Sequence, residues 1–281
     1  MFLRSFFLFF LLVSSGLQAQ DDKKTNNPIR VSATEEIPCE AKLKECEAAD
    51  DDNYRLSRYN DIYVVLGSPD TKIQISFKYK LASPINLYLG YTQVMFWELG
   101  RPSAPFSDID FNPDLFYRIQ FPKYTFVKAI DLILFEHKSN GKDGFNSRSW
   151  SGSGLKLYTI VKFYSWSFNW DTKLHWYYNF AMDSTNWDLR NYTGFWDTRF
   201  SFINYYDPDK FIDRVSLYFT FFPGGKYSER WGKGGQELGV KFRLGWGMFY
   251  PSIFFQFYHG YNESLLDYNK EHSSYRLGIA F

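Results

Sequence analysis

The feature that most constrains this chain is a period-two alternation running through segment after segment. In Lys72–Leu81, Ile73, Ile75, Phe77, Tyr79 and Leu81 fall on one side, and Lys72, Gln74, Ser76, Lys78 and Lys80 on the other. Arg214–Phe221 repeats it, with Val215, Leu217, Phe219 and Phe221 against Arg214, Ser216, Tyr218 and Thr220. Glu237–Leu244 does so again, with Leu238, Val240, Phe242 and Leu244 on one face. Successive strand side chains point to opposite faces, so this pattern specifies one-sided β-strands. It fits a soluble sandwich or a membrane barrel equally well.

Composition separates the two. Aromatic residues make up 22% of the 281 residues, with 30 Phe, 22 Tyr and 9 Trp. A soluble core of this size cannot hide so many rings, whereas the lipid-facing band and interfacial girdles of a β-barrel favour them. The 32 basic and 31 acidic residues nearly cancel, which argues against a nucleic-acid surface.

The N-terminus specifies export. Arg4, the apolar run Phe6–Val13 and the small residues Ser14-Ser15-Gly16 up to Ala19 read as a signal peptide over 1–20. No later segment is apolar for the roughly 18 residues that a spanning helix requires. Asp21–Asn53, ending in Asp50-Asp51-Asp52, is acidic and poor in aromatics, and reads as a periplasmic extension. Cys39 and Cys46 are the only cysteines. In one regular helix their Cα atoms would lie roughly 10 Å apart, so a disulfide between them needs a non-helical segment.

From residue 54 onward the pattern predicts an all-β, transmembrane antiparallel barrel of about twelve strands: 59–66, 72–81, 85–97, 114–121, 125–137, 155–165, 169–181, 192–205, 212–222, 236–244, 248–259 and 273–281. Bacterial barrels close with an even number of strands. The alternating segment Tyr275–Phe281 ends on Phe, like the assembly signal of outer-membrane proteins. The charged faces carrying Arg214, Glu237, Lys241 and Arg243 suffice to fill a small lumen with salt bridges.

Chemistry concentrates where one apolar strand runs into His137-Lys138-Ser139-Asn140-Gly141 and then Ser147-Arg148-Ser149-Trp150. His137 and Ser139 are two apart on a strand end, so both project from one face and set an imidazole beside a hydroxyl. A serine hydroxyl needs such a base to act as a nucleophile. Strict alternation back from an outward His137 carries Phe135, Ile133 and also Asp131 outward; a bulge between them would reset it. His175, His259 and His272 have no comparable company and read as interfacial or loop residues.

This stretch resembles the signature of the outer-membrane phospholipase A family. Tyr91-Thr92-Gln93, the Ser103–Phe106 loop with Asn112-Pro113, Glu237-Leu238-Gly239 and Gly260–Tyr268 extend the resemblance from Tyr54 to Phe281. It implies calcium-dependent hydrolysis of acyl esters of glycerophospholipids and lysophospholipids by an outer-membrane homodimer, with the site on the outer-leaflet side. Ser139 would be the nucleophile, His137 the general base and the Gly141 amide part of the oxyanion hole. Calcium would take Ser147, the carbonyl of Lys142 and Ser103 of a partner subunit. Gln93 would hydrogen-bond across the dimer interface.

The sequence departs from that pattern at two places. Ser151 follows Trp150 where the family has the Asn that orients the histidine, and Ser151-Gly152-Ser153-Gly154 lengthens the segment before Tyr158. A hydroxyl there can accept the imidazole N–H, as a weak third member. Asp143 sits one place before the family's acidic calcium residue. Ser151 is also the feature that favours an alternative, a catalytically degenerate structural barrel. A soluble lipase is disfavoured by the absence of a Gly-x-Ser-x-Gly elbow.

Overall fold

The structure, a computed structural model, describes residues 55–82, 84–122, 125–178, 184–206, 210–245 and 250–281. The expected signal peptide (1–20), the extension over 21–53 and both cysteines lie outside the described residues.

The alternating segments form one antiparallel sheet. Its strands are β1 (Leu56–Arg58), β2 (Tyr63–Ser68), β3 (Thr71–Ala82), β4 (Leu87–Trp97), β5 (Phe106–Gln120), β6 (Val127–Ser139) and β7 (Ser149–Phe163). It continues through β8 (Trp166–Tyr177), β9 (Trp196–Tyr205), β10 (Ile212–Gly224), β11 (Arg230–Leu244), β12 (Ser252–Gly260) and β13 (His272–Ala280). Each strand pairs with the next from β2 to β13, and β13 pairs with β2, so the sheet closes. β1 and β2 lie end to end along β3, sharing one place in the ring. The result is a closed antiparallel barrel of twelve staves, in agreement with the sequence expectation.

Exposure decides between barrel and sandwich. On β3, Ile75 is 43% and Tyr79 37% exposed, while Ser76 and Lys78 between them are buried at 0% and 2%. β13 behaves likewise, with Tyr275, Leu277 and Ile279 exposed and Ser274 and Arg276 buried. The apolar face points out and the polar face in, the pattern required when the outer medium is hydrocarbon. Ion pairs line the lumen, among them Arg243–Asp213 at 2.7 Å, Lys241–Asp61 at 2.6 Å and Lys173–Glu136 at 2.5 Å.

Several boundaries differ from expectation; β11, for example, begins at Arg230 and not at 236. The first stave breaks between Arg58 and Tyr63 instead of running through 59–66. β5 begins at Phe106 and not at 114: Asp108 and Asp110 point inward, alternating with Ile109 and Phe111, and Asn112-Pro113, a loop signal in sequence, lies inside the strand. β7 begins at Ser149 and not at 155, so the Ser151–Gly154 insertion lies inside the ladder.

The parity problem on β6 is solved by a bulge. Leu115 pairs with Phe135 but Phe116 pairs with Ile133, and across β7 the register skips from Ile133 to Glu136. Leu134 and Phe135 are therefore consecutive and both exposed, at 51% and 45%. Upstream of them Asp131 turns inward, fully buried, and takes Arg118 Nε at 2.7 Å, Arg118 Nη2 at 2.8 Å and Tyr158 OH at 2.8 Å. Removing one member of a buried pair strands the other charge, at a cost of about 3–5 kcal/mol. Arg118→Met should therefore lower the urea midpoint of the refolded barrel, followed by its heat-modifiable migration. Arg118→Met with Asp131→Leu should recover most of the loss.

Candidate active site

Downstream of the bulge the alternation is reset. His137 and Ser139 share the outward face of β6, and Lys138 and Asn140 turn inward, Lys138 to reach Asp110 Oδ2 at 3.2 Å. The register sets His137 opposite Ser151 and Ser139 opposite Ser149 on β7. His137 Nδ1 lies 2.9 Å from Ser151 Oγ, and Ser151 is buried. Two glycines let β7 lie close against β8 beside this pair: a Cβ on Gly152 would stand 2.6 Å from the Trp176 carbonyl, and one on Gly154 2.5 Å from the Leu174 carbonyl.

On the other side of β6, the continuing register brings Pro113 opposite His137. Proline has no N–H to donate to the ladder. The His137 carbonyl is instead met by Asn112 Nδ2 at 2.8 Å. Asn112 falls outside the expected strand 114–121, and its sequence position carries no sign of this task.

Buried Asn140 shapes the loop 140–148. Its Nδ2 donates to the Asn146 carbonyl at 2.9 Å, and its Oδ1 accepts from the Arg148 amide at 2.9 Å. Arg148 Nη1 then donates to the carbonyls of Phe145 and Ser147, both at 2.7 Å. Gly141 has φ +64° and Gly144 φ +55°, conformations that L side chains rarely adopt. A second connection supports the loop's return: Asn186 Oδ1 accepts from the Ser149 amide and its Nδ2 donates to the Ser149 carbonyl.

The loop 261–271 covers the inner side. Leu265 and Tyr268 pack with Trp150 and Leu189. Its root is Glu263, bound by Lys72, Arg276 and His272. Burial would raise the Glu263 carboxyl, but the Lys72 ammonium, then His272 and Arg276, hold it well below the usual carboxylate range. Nothing in the sequence of 260–268 shows these partners.

The remaining expected residues fall as follows. Ser147 and the Lys142 carbonyl share the loop 140–148, with Asp143 between them. Ser103 is exposed in the separate loop 98–105, at φ +64°. Gln93 accepts from Tyr91 OH at 2.8 Å and lies on the outward side, because Thr92 faces the lumen toward Ser76 and Asn60. His259 Nδ1 meets Ser273 Oγ at 2.8 Å, a His–Ser contact like that of His137 and Ser151, but Tyr261 stands where a hydroxyl nucleophile two residues on would be.

The family model for phospholipase A1 matches residues 38–281. The chain belongs to the phospholipase A1 family. It is 27% identical over 231 residues to a putative phospholipase A1 of Neisseria meningitidis, covering 75% of this chain and 54% of that protein. It is 27% identical over 223 residues to the phospholipase A1 of Escherichia coli K12, covering 74% and 69%. The chain thus spans about half the length of the first relative and more of the second. Its barrel superimposes on the outer membrane phospholipase A of Escherichia coli with TM-score 0.64 at 22% identity, over 82% of this chain and 93% of that one. A Salmonella typhi outer membrane phospholipase, solved as a dimer with bound calcium, also gives TM-score 0.64, at 19% identity over 84% and 96%.

Gly141 tests the local architecture independently of chemistry. A Cβ there would meet Phe111 at 2.9 Å in addition to the left-handed backbone. Gly141→Ala should destabilise the loop by about 1–3 kcal/mol, typical of strained conformations. Faster proteolytic cleavage within 141–148, with the barrel itself intact, is the expected reading.

Proposed function

We propose that this protein is a calcium-dependent phospholipase A of the outer membrane. The observation that carries this reading is the 2.9 Å contact between His137 Nδ1 and Ser151 Oγ. Ser151 was the residue on which the alternative of a degenerate barrel rested, and the contact supports reading its hydroxyl as an orienting group. If Nδ1–H donates to Ser151 Oγ, Nε2 is left as the acceptor. It can then take the proton of Ser139 Oγ as that oxygen attacks the acyl carbon.

The Gly141 amide would donate to the oxyanion of the tetrahedral intermediate. His137 would return its proton to the departing glycerol oxygen, leaving an acyl-serine that water hydrolyses by the same steps. The outward placement suits the substrate: a phospholipid in the bilayer reaches an outward strand end without entering the lumen. The strand ends that lead into the longer connections β6–β7, β8–β9 and β12–β13 lie on this rim, and those joined by the shorter β7–β8 and β3–β4 connections lie on the opposite one. Outer-membrane barrels carry their longer loops outside, which supports an outer-leaflet site.

The donors in the loop 140–148 are hard oxygens: the Lys142 carbonyl, the Ser147 hydroxyl and the Asp143 carboxylate. That chemistry suits calcium and not a thiophilic metal. Among the described residues no group of three or more His, Cys, Asp or Glu forms a metal site, so the set needs further oxygens. Ser103 of a second copy would add one, in keeping with a homodimer joined partly through outward Gln93. Bound calcium would supply positive charge beside the developing oxyanion.

Phospholipid hydrolysis by refolded protein in detergent micelles, with calcium and with chelator, tests the reading. Chelation should abolish activity, and so should Ser139→Ala or His137→Ala, with heat-modifiable folding unchanged. Activity surviving Ser139→Ala would remove the nucleophile assignment. Ser151→Ala should lower kcat about tenfold, the kinetic equivalent of one neutral hydrogen bond. Ser151→Asn should preserve it. Gln93→Ala should weaken calcium-dependent crosslinking by about 1 kcal/mol of association, as expected of one side-chain hydrogen bond within a membrane.

A further inference from the structure

We infer that Asp108 and Asp110 are positioning residues for the Ser139–His137 line, clamping the inner face of its strand to the loop 261–271. This rests on the reading of Ser139 and His137 as the reacting pair.

The residues of β6 and its following turn that alternate with the reacting line are Lys138, Asn140 and Lys142. Each meets a carboxylate of β5. Lys138 Nζ lies 3.2 Å from Asp110 Oδ2, Asn140 Nδ2 donates to Asp108 Oδ1 at 3.3 Å, and Lys142 Nζ lies 3.6 Å from Asp108 Oδ1. Asp108 is 2% and Asp110 1% exposed.

Each carboxylate also holds the loop. The Leu265 amide donates to both oxygens of Asp110 at 3.3 Å, and the Leu266 amide donates to Asp108 Oδ2 at 2.7 Å. A carboxylate that served only to neutralise Lys138 would not need to accept an amide 155 residues away in sequence. The same loop packs Leu265 and Tyr268 on Trp150, the residue before Ser151. The clamp therefore reaches both strands of the site: β6 through the carboxylates and β7 through Trp150. Both aspartates act through other groups, with no claim on the substrate.

Exchange to asparagine keeps the shape but turns one acceptor oxygen into a donor facing other donors. The strand end should then shift slightly, and reaction rates respond steeply to such shifts. Two measurements on full-length refolded protein test this: steady-state phospholipid hydrolysis, and labelling of Ser139 by a long-chain alkylsulfonyl fluoride. In the labelling step the serine oxygen bonds to sulfur, the proton passes to His137 and fluoride leaves.

For Asp108→Asn and Asp110→Asn, kcat and the labelling rate should each fall about tenfold or more, with KM within about twofold, as loss of alignment predicts. Rates are expressed per heat-modifiable, folded molecule. The neutral pair Lys138→Met with Asp110→Asn removes the strand tie without stranding a buried charge, and carries the same expectation should either single exchange impair folding. Variants that label and turn over at the wild-type rate per folded molecule would overturn the inference alone. Wild-type protein that neither hydrolyses phospholipid nor labels at Ser139 would overturn the functional reading, and the inference with it.

Discussion

The site depends on one irregularity, the bulge at Leu134-Phe135. A strand with strict alternation cannot present both Asp131 to the lumen and His137 to the bilayer, because the two differ by an even number of positions. An added residue changes the parity. Above it, the strand contributes Ile133 and Asp131 to the barrel interior; below it, the outward line runs from Phe135 to His137 and Ser139. Without the bulge, either a carboxylate would face hydrocarbon or the imidazole would face the lumen, beyond reach of a lipid. The first option is costly for folding and the second is incompatible with the proposed chemistry.

The ion-paired interior is the other half of the same logic. A barrel of twelve staves has an interior that side chains can occupy, and here buried ion pairs such as Arg118–Asp131 and Arg243–Asp213 fix it in bidentate contacts. Buried charges are weak sources of net stability, yet their geometry is exacting. They give the thin wall a rigid lining, and the strand carrying His137 is part of that wall: Glu136, its immediate neighbour, faces inward to Lys173 at 2.5 Å.

Much of this was legible in the sequence. The alternation in Lys72–Leu81 and the aromatic content led to a barrel, and the number of staves came out right because each long alternating run is one crossing. The broken first stave and the start of β5 were not read from the sequence; in β5, Ile109 and Phe111 do alternate with Asp108 and Asp110, but Asn112-Pro113 reads as a break before Asp114. The bulge was a logical requirement without an address: nothing in Ile133-Leu134-Phe135 marks which residue is extra. Asn112 escaped notice for a related reason, since its value lies in replacing the N–H that Pro113 lacks, and only the register shows which carbonyl is left to meet.

Chemistry and positioning in this molecule therefore have different ranges along the chain. Every group proposed to react within one copy, from His137 to Ser151, belongs to one hairpin and its loop, and so reads as a compact motif. What fixes those groups arrives from far away: Asn112 and the carboxylates of β5, Asn186 from the β8–β9 connection and the loop 261–271 through Trp150. The register, and not the local turn, sets the 2.9 Å between Ser151 Oγ and His137 Nδ1. A local departure from the family pattern need not disable a site whose geometry is held by the rest of the barrel.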